Sequence, residues 1–152
     1  MTFEMNHRTK ICFGAGMVRE AGTEVRKWGN KALVVCDKIV EQAGITGKVC
    51  DSLIANNIEF VIFDGVMPNP RDKDCDEAAE LGKRFGADVV VGIGGGSAMD
   101  SAKAANVLMT NGGTCAYWAN PETGFNKEPL PTICVPTTSG TGSEVTFEAV
   151  IT

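Results

Sequence analysis

Val89-Val90-Val91-Gly92-Ile93-Gly94-Gly95-Gly96-Ser97-Ala98-Met99-Asp100-Ser101-Ala102-Lys103 reads as an apolar strand, a triple-glycine turn and a helix whose first turn carries Ser97 and Asp100. An unbroken apolar run is the pattern of a strand covered on both faces. The glycines let the backbone turn sharply and leave the helix start bare of side chains. Backbone N–H groups and the positive end of the helix dipole can then meet a phosphate. A turn that uses glycine only for its conformational freedom would look the same locally. The rest of the chain has to separate the two readings.

Working outward, strands and helices alternate. Lys10 to Phe13 is a short extended segment closed by Gly14-Ala15-Gly16. Met17 to Trp28 has helical spacing, with Val18, Ala21, Val25 and Trp28 on one face. Lys31 to Cys36 is a second near-continuous apolar strand. Thr46 is placed to cap a helix running to about Asn56, with Val49, Leu53 and Ile54 as its buried stripe. Ile58 to Phe63 is a strand that ends at a Pro68-Asn69-Pro70 turn. Asp72 to Phe85 is a helix, acidic early and basic late, as its dipole favours. Asp88 to Ile93 is the next strand, followed by a helix from Ser97 to about Thr110. Asn111 to Pro131 is punctuated by glycine and proline and reads as a loop. Leu130 to Pro136 is a further strand, and Glu144 to Ile151 alternates enough to be a last one.

Repeated β-α-β units predict an α/β, Rossmann-like fold: a mostly parallel sheet with right-handed crossovers and helices on both faces. Ligands in such sheets lie beyond the carboxyl ends of the strands. Gly14–Gly16, Asp37, Pro68–Pro70, Gly94–Ser97 and Thr137–Thr141 each follow a predicted strand, so all five are expected on one edge. One domain over residues 1–152 is predicted. The sequence stops at Ile151-Thr152, in or just after a predicted strand, which leads us to expect a truncated protein.

Composition narrows the function classes. Hydrophobic residues make up 43% and charged residues 22% of the 152 positions, an ordinary soluble balance. The net charge of −5 argues against a nucleic-acid surface, which needs a basic face. No apolar run approaches the roughly 20 residues that span a bilayer. The six cysteines are scattered singly, which predicts buried free thiols in a reducing cytoplasm. The only histidine, His7, is expected on the surface. One histidine cannot build a His–carboxylate metal site or a Ser–His–Asp triad, so no catalytic or metal-ligating residue is assigned.

Three stretches could carry binding chemistry beside the glycine turn. Asp37, at the end of a strand, can accept hydrogen bonds from both hydroxyls of an adenosine ribose and repel a 2′-phosphate. It could equally just begin a turn. Thr137-Thr138-Ser139-Gly140-Thr141-Gly142-Ser143 packs five hydroxyls and two glycines together, suited to phosphate, ribose and carboxamide groups, or to a plain surface loop. Pro68-Asn69-Pro70 is a rigid turn presenting one amide side chain.

Taken together, these segments resemble the iron-containing (group III) alcohol dehydrogenases, in particular that family's amino-terminal cofactor half. Phe13-Gly14-Ala15-Gly16, the stretch from Gly94 to Lys103, and Pro136-Thr137-Thr138-Ser139-Gly140-Thr141-Gly142-Ser143-Glu144-Val145-Thr146 carry the resemblance, in the family's order. The last is the most specific: glycerol dehydrogenases and dehydroquinate synthases share the triple glycine but differ in that loop. The resemblance implies that Asp37 holds the ribose, favouring NAD over NADP. It implies Asn69 beside the cofactor and Gly95, Gly96 and Ser97 on the pyrophosphate. Thr137 and Thr138 would then lie near the adenine and ribose, with Thr141 and Thr146 nearer the nicotinamide. In the family a second, all-helical domain holds divalent iron or zinc through an aspartate and three histidines, and this sequence ends before the first of them. The implied activity is hydride transfer between NAD and a small alcohol or its aldehyde, in a cytoplasmic homo-oligomer that neither binds nucleic acid nor enters a membrane. The chain alone is expected to bind NAD weakly, to lack turnover and to associate through an exposed apolar patch. A non-catalytic nucleotide-binding or regulatory module is the alternative.

Overall fold

The computed structural model describes residues 9–120 and 123–152; the expectation for His7 lies outside them. Among these residues four parallel strands, β1 (Lys31–Cys36), β2 (Glu59–Phe63), β3 (Val89–Gly94) and β4 (Thr132–Pro136), form one sheet in the order β2-β1-β3-β4. The apolar runs become the two central strands, and β3 is buried along its whole length. The edge strands β2 and β4 are half-exposed.

Period-2 alternation sorts the side chains to two faces. Ala32, Val34, Val89, Val91 and Ile93 pack with Ala21, Val25, Val49 and Leu53 from α1 (Ala21–Arg26) and α3 (Ile45–Ala55). On the opposite face Leu33, Val35 and Val90 meet Leu81 of α4 (Asp72–Phe85) and Ala98, Ala102 and Met109 of α5 (Gly96–Asn111). Each fully buried valine or leucine contributes about 1.5–3 kcal/mol, which makes this double-sided packing the main source of stability. Gly92 lets α5 approach closely: a Cβ there would lie 3.0 Å from the Ala102 Cβ and 3.2 Å from the Met99 Cα.

Several expectations are corrected. Thr46 does not cap α3; Gly44, in the left-handed region, occupies the N-cap, and Thr46 is buried with its hydroxyl toward the Cys36 thiol. A separate short helix, α2 (Lys38–Gln42), precedes it. Met17 to Trp28 divides into a 3-10 turn (Met17–Glu20) and α1, and Trp28 is exposed, as is Ile54 of α3. Lys10 to Phe13 joins no sheet among the described residues, so the Gly14–Gly16 turn does not follow a strand. The predicted loop after α5 contains a four-residue helix, α6 (Cys115–Trp118). Glu144 to Ile151 is not a strand. It begins as a 3-10 turn (Ser143–Val145) and continues irregularly, because its backbone bonds to side chains of α5 and, at Thr152, to Pro70 and Asp72. The cysteines are free, as predicted, but only Cys36, Cys50 and Cys75 are buried; Cys12 is exposed and Cys115 and Cys134 are intermediate.

Candidate nucleotide-binding site

The order β2-β1-β3-β4 reverses direction between β1 and β3, so the crossovers from those two strands leave on opposite faces. A crevice opens at the carboxyl ends of β1 and β3, where doubly wound sheets hold ligands. Cys36 and Ile93 are the last register pair of the two strands, and Asp37 and Gly94 follow them.

The triple glycine lies at this point. Gly94 has φ 145°, and a Cβ there would come within 2.8 Å of the Ala98 Cβ, so this position requires glycine. Gly95 is the N-cap of α5 in an extended conformation, and no side chain caps the helix. The first N–H groups of a helix have no internal acceptor, and here they remain open to a ligand. A Cβ on Gly95 would stand 3.2 Å from Thr138 Oγ1, and one on Gly96 3.6 Å from the Thr141 Cβ. The hydroxyl-rich loop thus forms the far wall of the cradle, tied down by the Thr137 amide donating to the Gly94 carbonyl (2.9 Å).

Asp37 forms the near wall and has two roles within reach. Its Oδ1 accepts the Val40 amide at 2.8 Å, capping α2. Its Oδ2 lies 3.4 Å from the place of a Gly94 Cβ, facing the glycine turn. Asn69 is exposed, with left-handed backbone (φ 59°), on the loop after β2. It shares the strand-end edge without touching the cradle. Ser97 sits in the first turn of α5, half-buried.

Thr146 is held elsewhere. Its hydroxyl accepts from Lys103 Nζ at 3.2 Å, and Lys103 lies about 10 Å along α5 from Gly96. Thr141 is engaged locally, its hydroxyl donating to Glu144 (3.3 Å) and accepting the Ser143 amide (3.4 Å). The structure therefore brings together Asp37, Gly95, Gly96, Ser97, Thr137, Thr138 and Thr141, and leaves Asn69 and Thr146 at the margins.

Sequence reasoning gave no role to the side chains that support this loop. Asp100, Lys103 and Asn106 recur every three residues, which puts them on one side of α5. Lys103 Nζ donates to Asp100 (3.2 Å), Ser143 (2.9 Å), Thr146 and the Glu148 carbonyl (2.8 Å). Asp100 in turn accepts from the Ser143 hydroxyl (2.6 Å) and the Val150 amide (3.0 Å). Asn106, 1% exposed, bonds both the amide and the carbonyl of Leu130 and so sets the entry to β4. The polar stripe on an otherwise apolar helix was the available signal. Replacing Lys103 with Met should cost about 2 kcal/mol, since it leaves the largely buried Asp100 carboxylate without its cation. Denaturant unfolding and hydrogen exchange at the Val150 amide measure this; an unchanged midpoint with unchanged protection would refute it.

A concavity of about 590 Å³ runs along α4 at the β2 edge, lined by Phe63, Asp76, Glu77, Glu80, Leu81 and Arg84. Its acidic carboxylates and lack of a helix start make it a poorer anion site than the switch-point crevice, despite its volume. Among the described residues no three His, Cys, Asp or Glu side chains converge, so they do not fit the divalent metal that the resemblance implies. No helix among them is long and apolar enough to cross a membrane.

The sheet order and the bare glycine cradle define a doubly wound, Rossmann-like domain. The chain belongs to the iron-containing alcohol dehydrogenase family, whose description matches residues 8–152. It is 41% identical to the choline dehydrogenase of Bacillus subtilis over 157 aligned positions, covering 99% of this chain and 38% of that protein. It superposes on an archaeal halo-thermophilic alcohol dehydrogenase from a Red Sea brine pool, bound to NZQ, with a TM-score of 0.90 at 33% identity, covering 100% of this chain and 41% of that one. For the sulfoacetaldehyde reductase of Bifidobacterium kashiwanohense in complex with NAD+, the TM-score is 0.82 at 30% identity, over 96% and 39% of the two chains. The chain thus spans about two fifths of the length of the relatives it matches.

Proposed function

We propose that this chain is the NAD-holding half of a metal-assisted alcohol dehydrogenase acting on a small alcohol or its aldehyde. The observation that carries the reading is the bare cradle at Gly94–Gly96. It lies between the Asp37 carboxylate and the Thr137–Thr141 hydroxyls, and a Cβ on Gly95 would project into it, 3.2 Å from Thr138 Oγ1. The pyrophosphate would accept from the uncapped N–H groups at the start of α5 and from Ser97. Asp37 Oδ2 would accept from the adenosine ribose, its charge favouring NAD over NADP. Thr137 and Thr138 would line the adenosine side. Thr141, Thr146 and Asn69 would lie toward the remainder of the dinucleotide, Thr146 positioned by Lys103. When bound, NAD supplies the hydride acceptor. Iron or zinc chemistry would come from groups outside the described residues, so the chain by itself holds the nucleotide without turnover. The reading includes a cytoplasmic homo-oligomer.

Calorimetric titration of the purified chain tests this. NAD+ should bind at one site, more tightly than NADP+, while no alcohol is oxidised. Absence of NAD+ binding at millimolar concentration would sink the proposal, and alcohol oxidation at an enzymatic rate would remove its second half.

A further inference from the structure

Two cysteines that the sequence leaves forty positions apart meet on the outer helix layer. Cys75, in the first turn of α4, is fully buried, and Cys115 opens α6 with part of its surface accessible. Both pack in one cluster with Ala78, Ala79, Ala105 and Leu108, close enough that each thiol acts on the other. The Cys115 amide donates to Asp76 Oδ1 at 2.8 Å, which fixes the start of α6 beside the residue following Cys75. Burial raises Cys36, Cys50 and Cys134, and no second thiol is among the groups acting on them.

We propose that Cys75 and Cys115 form a reversible oxidation site, at which hydrogen peroxide converts the two thiols into an intrachain disulfide joining α6 to α4. The accessible Cys115 is the attacking sulfur. The neighbouring Cys75 thiol holds it below the usual thiol range, against burial and the opposing charges of Asp76 and Asp72. Cys75, held protonated by the neighbouring Cys115 and by burial, is the resolving thiol. In the first step the Cys115 thiolate attacks one peroxide oxygen and the O–O bond breaks. Cys115 becomes a sulfenic acid, and the leaving hydroxide takes up a proton to become water. In the second step the Cys75 sulfur displaces that hydroxyl as water and the S–S bond forms. Overall two thiols lose two electrons and two protons to one peroxide, which yields two waters. Forming the bond brings the sulfurs to about 2.05 Å, which requires a movement of α6 toward α4. Gly112 and Gly113, both at positive φ just before α6, give its tether the freedom to supply it.

The test is to treat the purified protein with hydrogen peroxide and map its non-reduced peptides. The expected product has lost two hydrogen masses, carries a Cys75–Cys115 cross-link and reverts with dithiothreitol. In Cys75→Ser, dimedone should trap a sulfenic acid at Cys115. The proposal fails if the wild-type Cys115 accumulates as sulfinic acid without the link, if both thiols stay reduced while Cys12 oxidises, or if the disulfide joins other cysteines or two chains.

Discussion

Gly95→Ala should weaken NAD+ binding about 30- to 100-fold while leaving the unfolding midpoint nearly unchanged. Gly95 has φ −79° and ψ −170°, a conformation any L residue adopts, so the substitution strains no backbone. The added methyl would stand 3.2 Å from Thr138 Oγ1, a side chain able to turn aside. What the methyl does occupy is the space in front of the uncapped N–H groups of α5. Losing close approach to one or two charge-assisted hydrogen bonds costs about 2–2.8 kcal/mol, equivalent to that fold-change. Gly94→Ala is a poor substitute as a test, because its positive φ and the 2.8 Å approach to Ala98 would mix folding with binding. Calorimetry and denaturant unfolding on the same variant separate the effects. Unaltered NAD+ affinity would return the glycines to a purely conformational role.

Asp37→Asn should raise the ratio of NADP+ to NAD+ affinity about 100-fold, with a stability change below about 0.5 kcal/mol. Aspartate and asparagine cap helices about equally well, so the bond to the Val40 amide survives and α2 keeps its start. What disappears is the charge facing the glycine turn, which would lie against a 2′-phosphate; like charges brought together cost several kcal/mol. Asp37→Ala differs in an informative way, since it should also lose about 1 kcal/mol of stability with the cap. Fluorescence titration with both reduced cofactors measures the ratio. If Asp37→Asn leaves it unchanged, Asp37 is a capping residue and nothing more.

That pairing shows what could be read in advance. Two readings of Asp37, a ribose acceptor and a residue that begins a turn, were both legible at a strand end. The structure shows the second through Oδ1 and leaves Oδ2 free for the first. The central strands were legible because Ala32–Cys36 and Val89–Ile93 are apolar without interruption, a pattern that survives only with cover on both faces. The helix Asp72–Phe85 was legible to the residue from its charge order and from Gly86 behind it. Glu144 to Ile151 misled because its alternation matched a strand. Its polar partners were side chains on α5, which no local period encodes.

The sequence by itself determined the alternation of strands and helices, the bare turn at Gly94–Gly96 and the family, since each depends on residues close together in the chain. Tertiary structure alone decided the strand order that puts Asp37 beside that turn, the Asp100–Lys103 node beneath the loop and the meeting of Cys75 with Cys115. These contacts join residues tens of positions apart. Their partners are selected by how the two helix layers close over the sheet, and local periodicity carries no record of that choice.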